Sequence, residues 1–362
     1  MTISNGAGIV GGAIISAEDS ELTAKSVAFS SNTAQVVGGA IYAVSSKVEL
    51  VSTTFDTNSA DYGGALFLGN STVFGTGYTS FIRNNASRNG GAVFITRNSY
   101  LGWNMQPVFR NRGQNGGALF LYNDVVVRNE GTTYFASNNA VFNGGAIGGS
   151  ATADTFYGDS RLIANGSMTL MNNTCGGNGG AIDLTGISFV IHGNVSFLGN
   201  SALSFGGALY ASRVNIGLKL YNVKFSGNIA EAGGGSFFSE AGAFQSGSTT
   251  DSYYKEYYAS EFINCIFEGN SAYSTGGAIY STAGTYFVQG TIFTRNSAEL
   301  GGAIRSSGTI SLLNSSFIEN MSEEGGGPAI SNGGVISEML GLQFSGNGYQ
   351  CSPDAFMGFN KV

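Results

Sequence analysis

Charge is scarce in this chain: only 11% of its 362 residues are Asp, Glu, Lys or Arg, well below the usual quarter. The balance is mildly acidic, at −7, and no basic stripe is present, so nucleic acid is not an expected partner. Proline is nearly absent, with 3 residues, and the single histidine is His192. One histidine supports no multi-histidine metal site, and no G-x-S-x-G motif announces a serine hydrolase. The 3 cysteines, Cys175, Cys265 and Cys351, form an odd set without C-x-x-C spacing. They argue against a disulfide framework and for thiols that behave as small apolar groups. No apolar run reaches the ~20 residues of a membrane helix, and the opening Met1-Thr2-Ile3-Ser4-Asn5 lacks the basic start and apolar stretch of a signal peptide. Membrane association and an export signal are expected only in regions outside this chain.

Glycine, by contrast, is abundant, with 57 residues, alongside 26 Phe and 17 Tyr in a chain that is 42% hydrophobic. So many strand formers read as a packed β protein rather than as a disordered glycine-rich segment. Low charge suits stacking, because an ionised residue repeated at one position would face its own copies across the ladder.

Two motifs alternate through the whole length. One is an aromatic followed three residues later by Asn: Phe29/Asn32, Phe55/Asn58, Phe81/Asn84, Phe135/Asn138, Phe197/Asn200, Phe225/Asn228, Phe267/Asn270, Phe293/Asn296, Phe317/Asn320 and Phe344/Asn347, with Val108/Asn111 and Leu170/Asn173 as degenerate copies. The other is Gly-Gly-Ala plus an apolar residue, beginning at Gly11, Gly38, Gly63, Gly90, Gly116, Gly144, Gly179, Gly206, Gly276 and Gly301, with variants at Gly234 and Gly326. Successive glycine pairs lie 25 to 28 residues apart in all but two intervals. No 3.6-residue period accompanies them. Each repeat reads as three short apolar segments, one ending at the Phe, one after the glycine pair and one before the next Phe. Three strands per repeat make one coil, and stacked coils bury a shared core.

The expected fold is therefore all-β, a right-handed parallel β-helix of about twelve coils of ~26 residues, on the order of 60 Å long at ~4.8 Å per coil. It forms a single repeat domain over 1–362. Phe should stack on Phe inside, and the twelve Asn should form a ladder that satisfies its own amides and the backbone at the bend. The glycine pair permits positive φ, and the following Ala keeps the corner narrow.

The alternation of F-x-x-N with G-G-A-[ILV], as in Phe55-Asp56-Thr57-Asn58 followed by Gly63-Gly64-Ala65-Leu66, resembles the polymorphic outer-membrane protein repeats of chlamydial autotransporters. The resemblance covers essentially the whole chain. It implies a secreted β-helical passenger that is displayed on a cell surface and acts as an adhesin. The family's C-terminal membrane barrel finds no counterpart here, since no series of ~10-residue alternating segments closes the sequence. Thr2-Ile3-Ser4-Asn5 aligns in mid-repeat with Phe29-Ser30-Ser31-Asn32, so the chain reads as a segment of a longer protein or as a unit assembling end to end.

Two long intervals mark insertions at about 150–165 and 240–258. The second carries Tyr253, Tyr254, Tyr257 and Tyr258, rigid amphipathic side chains suited either to a contact surface or to covering the coil beneath. For catalysis the candidates are Asp56, Asp61, Asp154, Asp159 and Asp183, as in polysaccharide-active β-helices, but no repeated spacing gathers them. Calcium-type GGxGxD repeats and Thr-x-Thr columns are lacking. No enzyme, cofactor or metal is expected. Asn70, Asn85, Asn165, Asn172, Asn194, Asn314 and Asn320 open Asn-x-Ser/Thr sequons, which a eukaryotic secretory route would glycosylate. The sequence reads as an extracellular or cell-surface adhesin-like rod whose partner is a host or neighbouring cell-surface protein or glycan. The alternative is a subunit of an extracellular filament, whose partners are copies of itself or other filament subunits. A polysaccharide-active enzyme comes last.

Overall fold

Every described element is a β-strand. The computed structural model describes residues 1–151, 160–212, 218–240 and 260–348. The chain forms two compact units, Met1–Gly177 with Ala181–Val195, and Asn178–Gly180 with Ser196–Val362. Each is a parallel β-solenoid. Strands that follow the glycine pairs number seven in the first unit, from Ile14–Ser16 to Ile182–Thr185, and five in the second, from Leu209–Ser212 to Ile330–Asn332. These give about eleven turns.

One coil shows why these residues fold this way. Ala28–Ser30 is a strand with Phe29 pointing inward, and Ser31 then takes φ +57°, which turns the chain so that Asn32 is fully buried. Thr33–Val37 forms the next strand, and Gly38 bends the chain at φ +65°. Ile41–Val44 follows, then a turn at Ser45 (φ +49°), then Lys47–Val51, then a turn at Ser52 (φ +49°), after which Thr54–Asp56 brings the next Phe. The coil thus has four strands, where the apolar pattern alone predicts three. The strand after Asn is missed because it is short and mostly polar, as in Ser59–Ala60. The strand before the Phe and the Phe strand also belong to one bent sheet. In two coils of the first unit they run as single 11-residue strands, Thr72–Ile82 and Ser99–Phe109, with register shifts where the bend would be.

Register is in phase from coil to coil: Phe29 pairs with Phe55, and Leu66 pairs with Ile41 and Val93. In-phase parallel pairing lays like side chains over one another. The Phe rings stack 4.7–5.0 Å apart from Phe29 to Phe81 in the first unit, and 4.7–5.1 Å apart from Phe197 to Phe344 in the second. Val108 and Leu170 occupy the same slot, paired with Phe81 and Phe135, so the column asks for apolar volume and uses Phe where it can.

The ladder lies beside this column. In the first unit Asn58 Oδ1 accepts from both the backbone N–H and the Nδ2 of Asn32, at 3.0 Å each. Asn58 Nδ2 donates to Asn84 Oδ1 and to the Phe29 carbonyl, again at 3.0 Å. All four hydrogen-bonding sites of the amide are filled without water. The pattern continues through Asn84, Asn111, Asn138 and Asn173. In the second unit Asn200, Asn228, Asn270, Asn296, Asn320 and Asn347 make the same series.

Hydroxyls form lesser ladders at the other corners. Ser46 N–H donates to Ser71 Oγ (3.1 Å) and Ser71 N–H to Ser99 Oγ (3.2 Å). In the second unit Thr291 N–H donates to Ser315 Oγ (3.2 Å), and Cys265 N–H to Thr291 Oγ1 (3.3 Å). Cys265 sits at the position that Thr291 holds in the next coil, and its Sγ lies 3.3 Å from the Leu220 carbonyl. Cys175 and Cys265 are buried, and burial pushes both thiols up to about 12, which disfavours the thiolate at neutral pH. Cys351 lies outside the described residues.

Candidate functional site

In the strand after the Gly38 pair, Ile41 and Ala43 are buried while Tyr42 and Val44 look outward. The outward position repeats as an aromatic in the first unit, giving the column Tyr42, Phe67, Phe94, Phe120 through paired strands. Their rings lie 5.4, 5.5 and 5.7 Å apart, stacked to within 20°. The spacing is wider than in the interior column, so the rings are offset; Tyr42 and Phe67 are half-buried, and Phe94 and Phe120 are buried.

Walls rise on both sides of this column. On one side Tyr62, just before its glycine pair, stands edge-on to Phe94 at 5.2 Å. Arg88 holds it, with its guanidinium 5.6 Å from the ring centre and Nη1 3.1 Å from the hydroxyl. Asn89 continues the wall and accepts from Asn115 Nδ2 at 3.0 Å. On the other side lie Val44, Ser45, Gly69, Asn70, Thr96, Arg97 and Tyr122. Asn70 Nδ2 donates to Ser45 Oγ at 3.1 Å, and Tyr122 is 39% exposed, its ring tilted against Phe94. The result is a groove of about 750 Å³. Its lining is aromatic, amide and hydroxyl, with Arg97 the one charged side chain in it.

The column ends at Gly148, the next outward position, beyond which comes Asp183. Asp183 is buried, and burial pushes its carboxyl up to about 8 from 3.8. Between those pH values the folded chain holds a proton that the unfolded chain has lost. Stability therefore falls as pH rises from about 4 to about 8 and then levels off. Asp183→Asn should remove that fall. The expected gain over wild type is near zero at pH 4 and on the order of 2–4 kcal/mol at pH 8.5, read from urea midpoints at the two pH values. Equal midpoints at pH 8.5 would contradict it.

The other predicted positions are dispersed. Asp56 is held by Arg83, whose guanidinium lowers its pKa, and Asp61 accepts from Ser87. Asp154 and Asp159 lie outside the described residues, as do Tyr253, Tyr254, Tyr257 and Tyr258 with the rest of 241–259. Of the expected insertion at about 150–165, Arg161–Ala164 is an ordinary strand paired on both sides. His192 is exposed. No group of three or more His, Cys, Asp or Glu able to hold a metal occurs among the described residues. Of the sequons, Asn70, Asn85, Asn172, Asn194 and Asn314 are exposed. Asn165 is half-buried and donates to Glu130, and Asn320 is sealed in the ladder.

Sequence reasoning missed the groove, although its signal was present: an aromatic immediately after G-G-A-[ILV] in four successive repeats. Those residues read as core because they sit in apolar runs. Four-residue strands are too short for alternation to separate inside from outside.

No curated protein and no solved structure matches the chain. Residues 26–44, 194–212 and 264–282 match the family model of the Chlamydia polymorphic membrane protein repeat; each segment runs from F-x-x-N to just past the glycine pair, so the chain carries repeats of the kind found in that membrane protein family.

Proposed function

We propose that this chain is a surface-displayed or secreted adhesin-like solenoid, without catalytic activity, that binds a partner on a host or neighbouring cell through the aromatic groove of its first unit. The groove is the observation that carries this reading. Motif residues are consumed in building coils, whereas Tyr42, Tyr62, Phe67 and Tyr122 add nothing to the repeat and leave apolar rings at the surface, beside unpaired amide and hydroxyl capacity. The match to a membrane protein repeat supports a cell-surface setting. Dispersed carboxylates and thiols with raised pKa support a non-catalytic role.

Beads coated with the chain and incubated with cultured cells test this reading. Coated beads should adhere, and beads carrying a Tyr62→Ala/Tyr122→Ala variant that melts like wild type should adhere at least about tenfold less. Equal adhesion by the two would move the working surface elsewhere. Adhesion by neither, with filaments forming from the pure chain, would favour a structural subunit.

A further inference from the structure

We infer that the groove takes an extended, neutral glycan chain laid along the axis of the first unit, about one sugar ring per coil. This rests on the groove being the binding face and adds the class of ligand. Three observations select it.

The first is the repeat. Tyr42, Phe67 and Phe94 recur at 5.4 and 5.5 Å, close to the length of one pyranose in an extended chain. A polymer of sugars can therefore meet an aromatic ring at successive coils: Tyr42 and Phe67, half-buried in the floor, and then the exposed Tyr122 tilted against the buried Phe94. Pyranose rings offer C–H faces to aromatic carbon and hydroxyls to the sides, and the groove has rings below and Asn70, Asn89 and Thr96 at the walls. Amides are suited to this, since each presents a donor and an acceptor to neighbouring hydroxyls.

The second is charge. Arg97 alone is ionised in the lining, with no carboxylate, and the chain as a whole is at −7. A polyanionic chain would find Arg97 in the lining and Arg88 beside Tyr62, too few cations to match a charge on every sugar. A neutral one meets no penalty.

The third removes one rival, a peptide added as a strand. Peptides that bind β-sheets add as a strand to a free edge and are held by main-chain hydrogen bonds. Strands Ile41–Val44, Leu66–Gly69 and Val93–Thr96 are each paired on both sides, so the floor offers a peptide no backbone partner. An amphipathic helix would need an aliphatic trough, and Val44 is the one aliphatic side chain in the lining.

Native gels cast with soluble galactomannan, mixed-linkage β-glucan or dextran, and separately with heparin, provide the test. The chain should be retarded by at least one neutral polysaccharide and not by heparin. Tyr122→Ala and Asn89→Ala, each melting like wild type, should weaken the retardation about fivefold or more. Retardation that both variants retain would place the glycan outside the groove and overturn the inference. So would retardation by heparin alone, lost in Arg97→Ala. Failure of every neutral polysaccharide, with bead adhesion still dependent on Tyr122, would overturn the glycan while leaving the groove as the binding face for a protein.

Discussion

Replacing Asn270 by Ala should cost about 3–5 kcal/mol, far more than losing one ordinary side-chain hydrogen bond. Asn270 Oδ1 accepts from Asn228 N–H and Nδ2 at 3.0 Å, and its Nδ2 donates to Asn296 Oδ1 (2.9 Å) and to the Phe225 carbonyl (3.1 Å). Truncation removes the acceptor of Asn228 N–H and Nδ2 and one donor each from Asn296 Oδ1 and the Phe225 carbonyl, although Asn228 Nδ2 keeps the Phe197 carbonyl and Asn296 Oδ1 keeps the Asn270 N–H. These groups are buried with the ladder, where an unsatisfied polar group costs ~1–3 kcal/mol. Partial relaxation brings the sum down to the stated range. Because a solenoid's cooperativity runs through contacts between neighbouring coils, the unfolding transition should also broaden. Asn222→Gly is the control: Asn222 is exposed at φ +57°, a conformation glycine adopts freely. Its urea midpoint should match wild type. Equal midpoints for Asn270→Ala and Asn222→Gly would show that the ladder does not hold the coils together.

The glycine pairs should behave asymmetrically with the rest of the glycines. A Cβ on Gly64 would overlap the Gly91 carbonyl oxygen of the next coil and lie 2.6 Å from that of Asn85. Both are backbone atoms fixed by the parallel ladder, so nothing can move without separating the coils. Gly64→Ala should cost more than about 4 kcal/mol, or prevent folding. Gly227 has φ +63° but empty space around it, so Gly227→Ala should cost only the left-handed penalty of about 1–2 kcal/mol. Gly69 has no positive φ and meets only side-chain atoms, at 3.4 Å and beyond, and Gly69→Ala should fall within about 0.5 kcal/mol of wild type. Thermal and urea melts of the three variants check the order. Gly64→Ala melting with Gly69→Ala would contradict the close approach of the backbones.

These contrasts separate what the sequence discloses from what it hides. Phe29, Asn32 and the Gly38 pair recur in fixed order, so the coil, its period and its interior column are legible from spacing alone. The role of the second glycine is not. Positive φ explains Gly38, but Gly39 is needed because the Gly64 backbone passes where its side chain would be. The residue before each ladder Asn is likewise hidden. Ser31, Thr57, Arg83, Arg110, Arg295 and Glu319 all adopt φ between +53° and +60°, and so varied a set gives no pattern to read. The Ser and Thr corners are missed because Ser46, Ser71 and Thr291 look like ordinary loop residues. Tyr253 to Tyr258 drew attention as a dense cluster, whereas the groove tyrosines are spread over 80 residues, from Tyr42 to Tyr122, and meet only because the coils are in register.

On the proposed function, motif residues build the coils and the outward positions of the first unit do the binding. Bead adhesion at 4 °C, measured side by side for Asn270→Ala and Tyr122→Ala, tests it most directly. Asn270→Ala, less stable but folded in the cold, should adhere as wild type does, while Tyr122→Ala, as stable as wild type, should lose most adhesion. Undiminished adhesion by Tyr122→Ala, together with loss in folded Asn270→Ala, would contradict it.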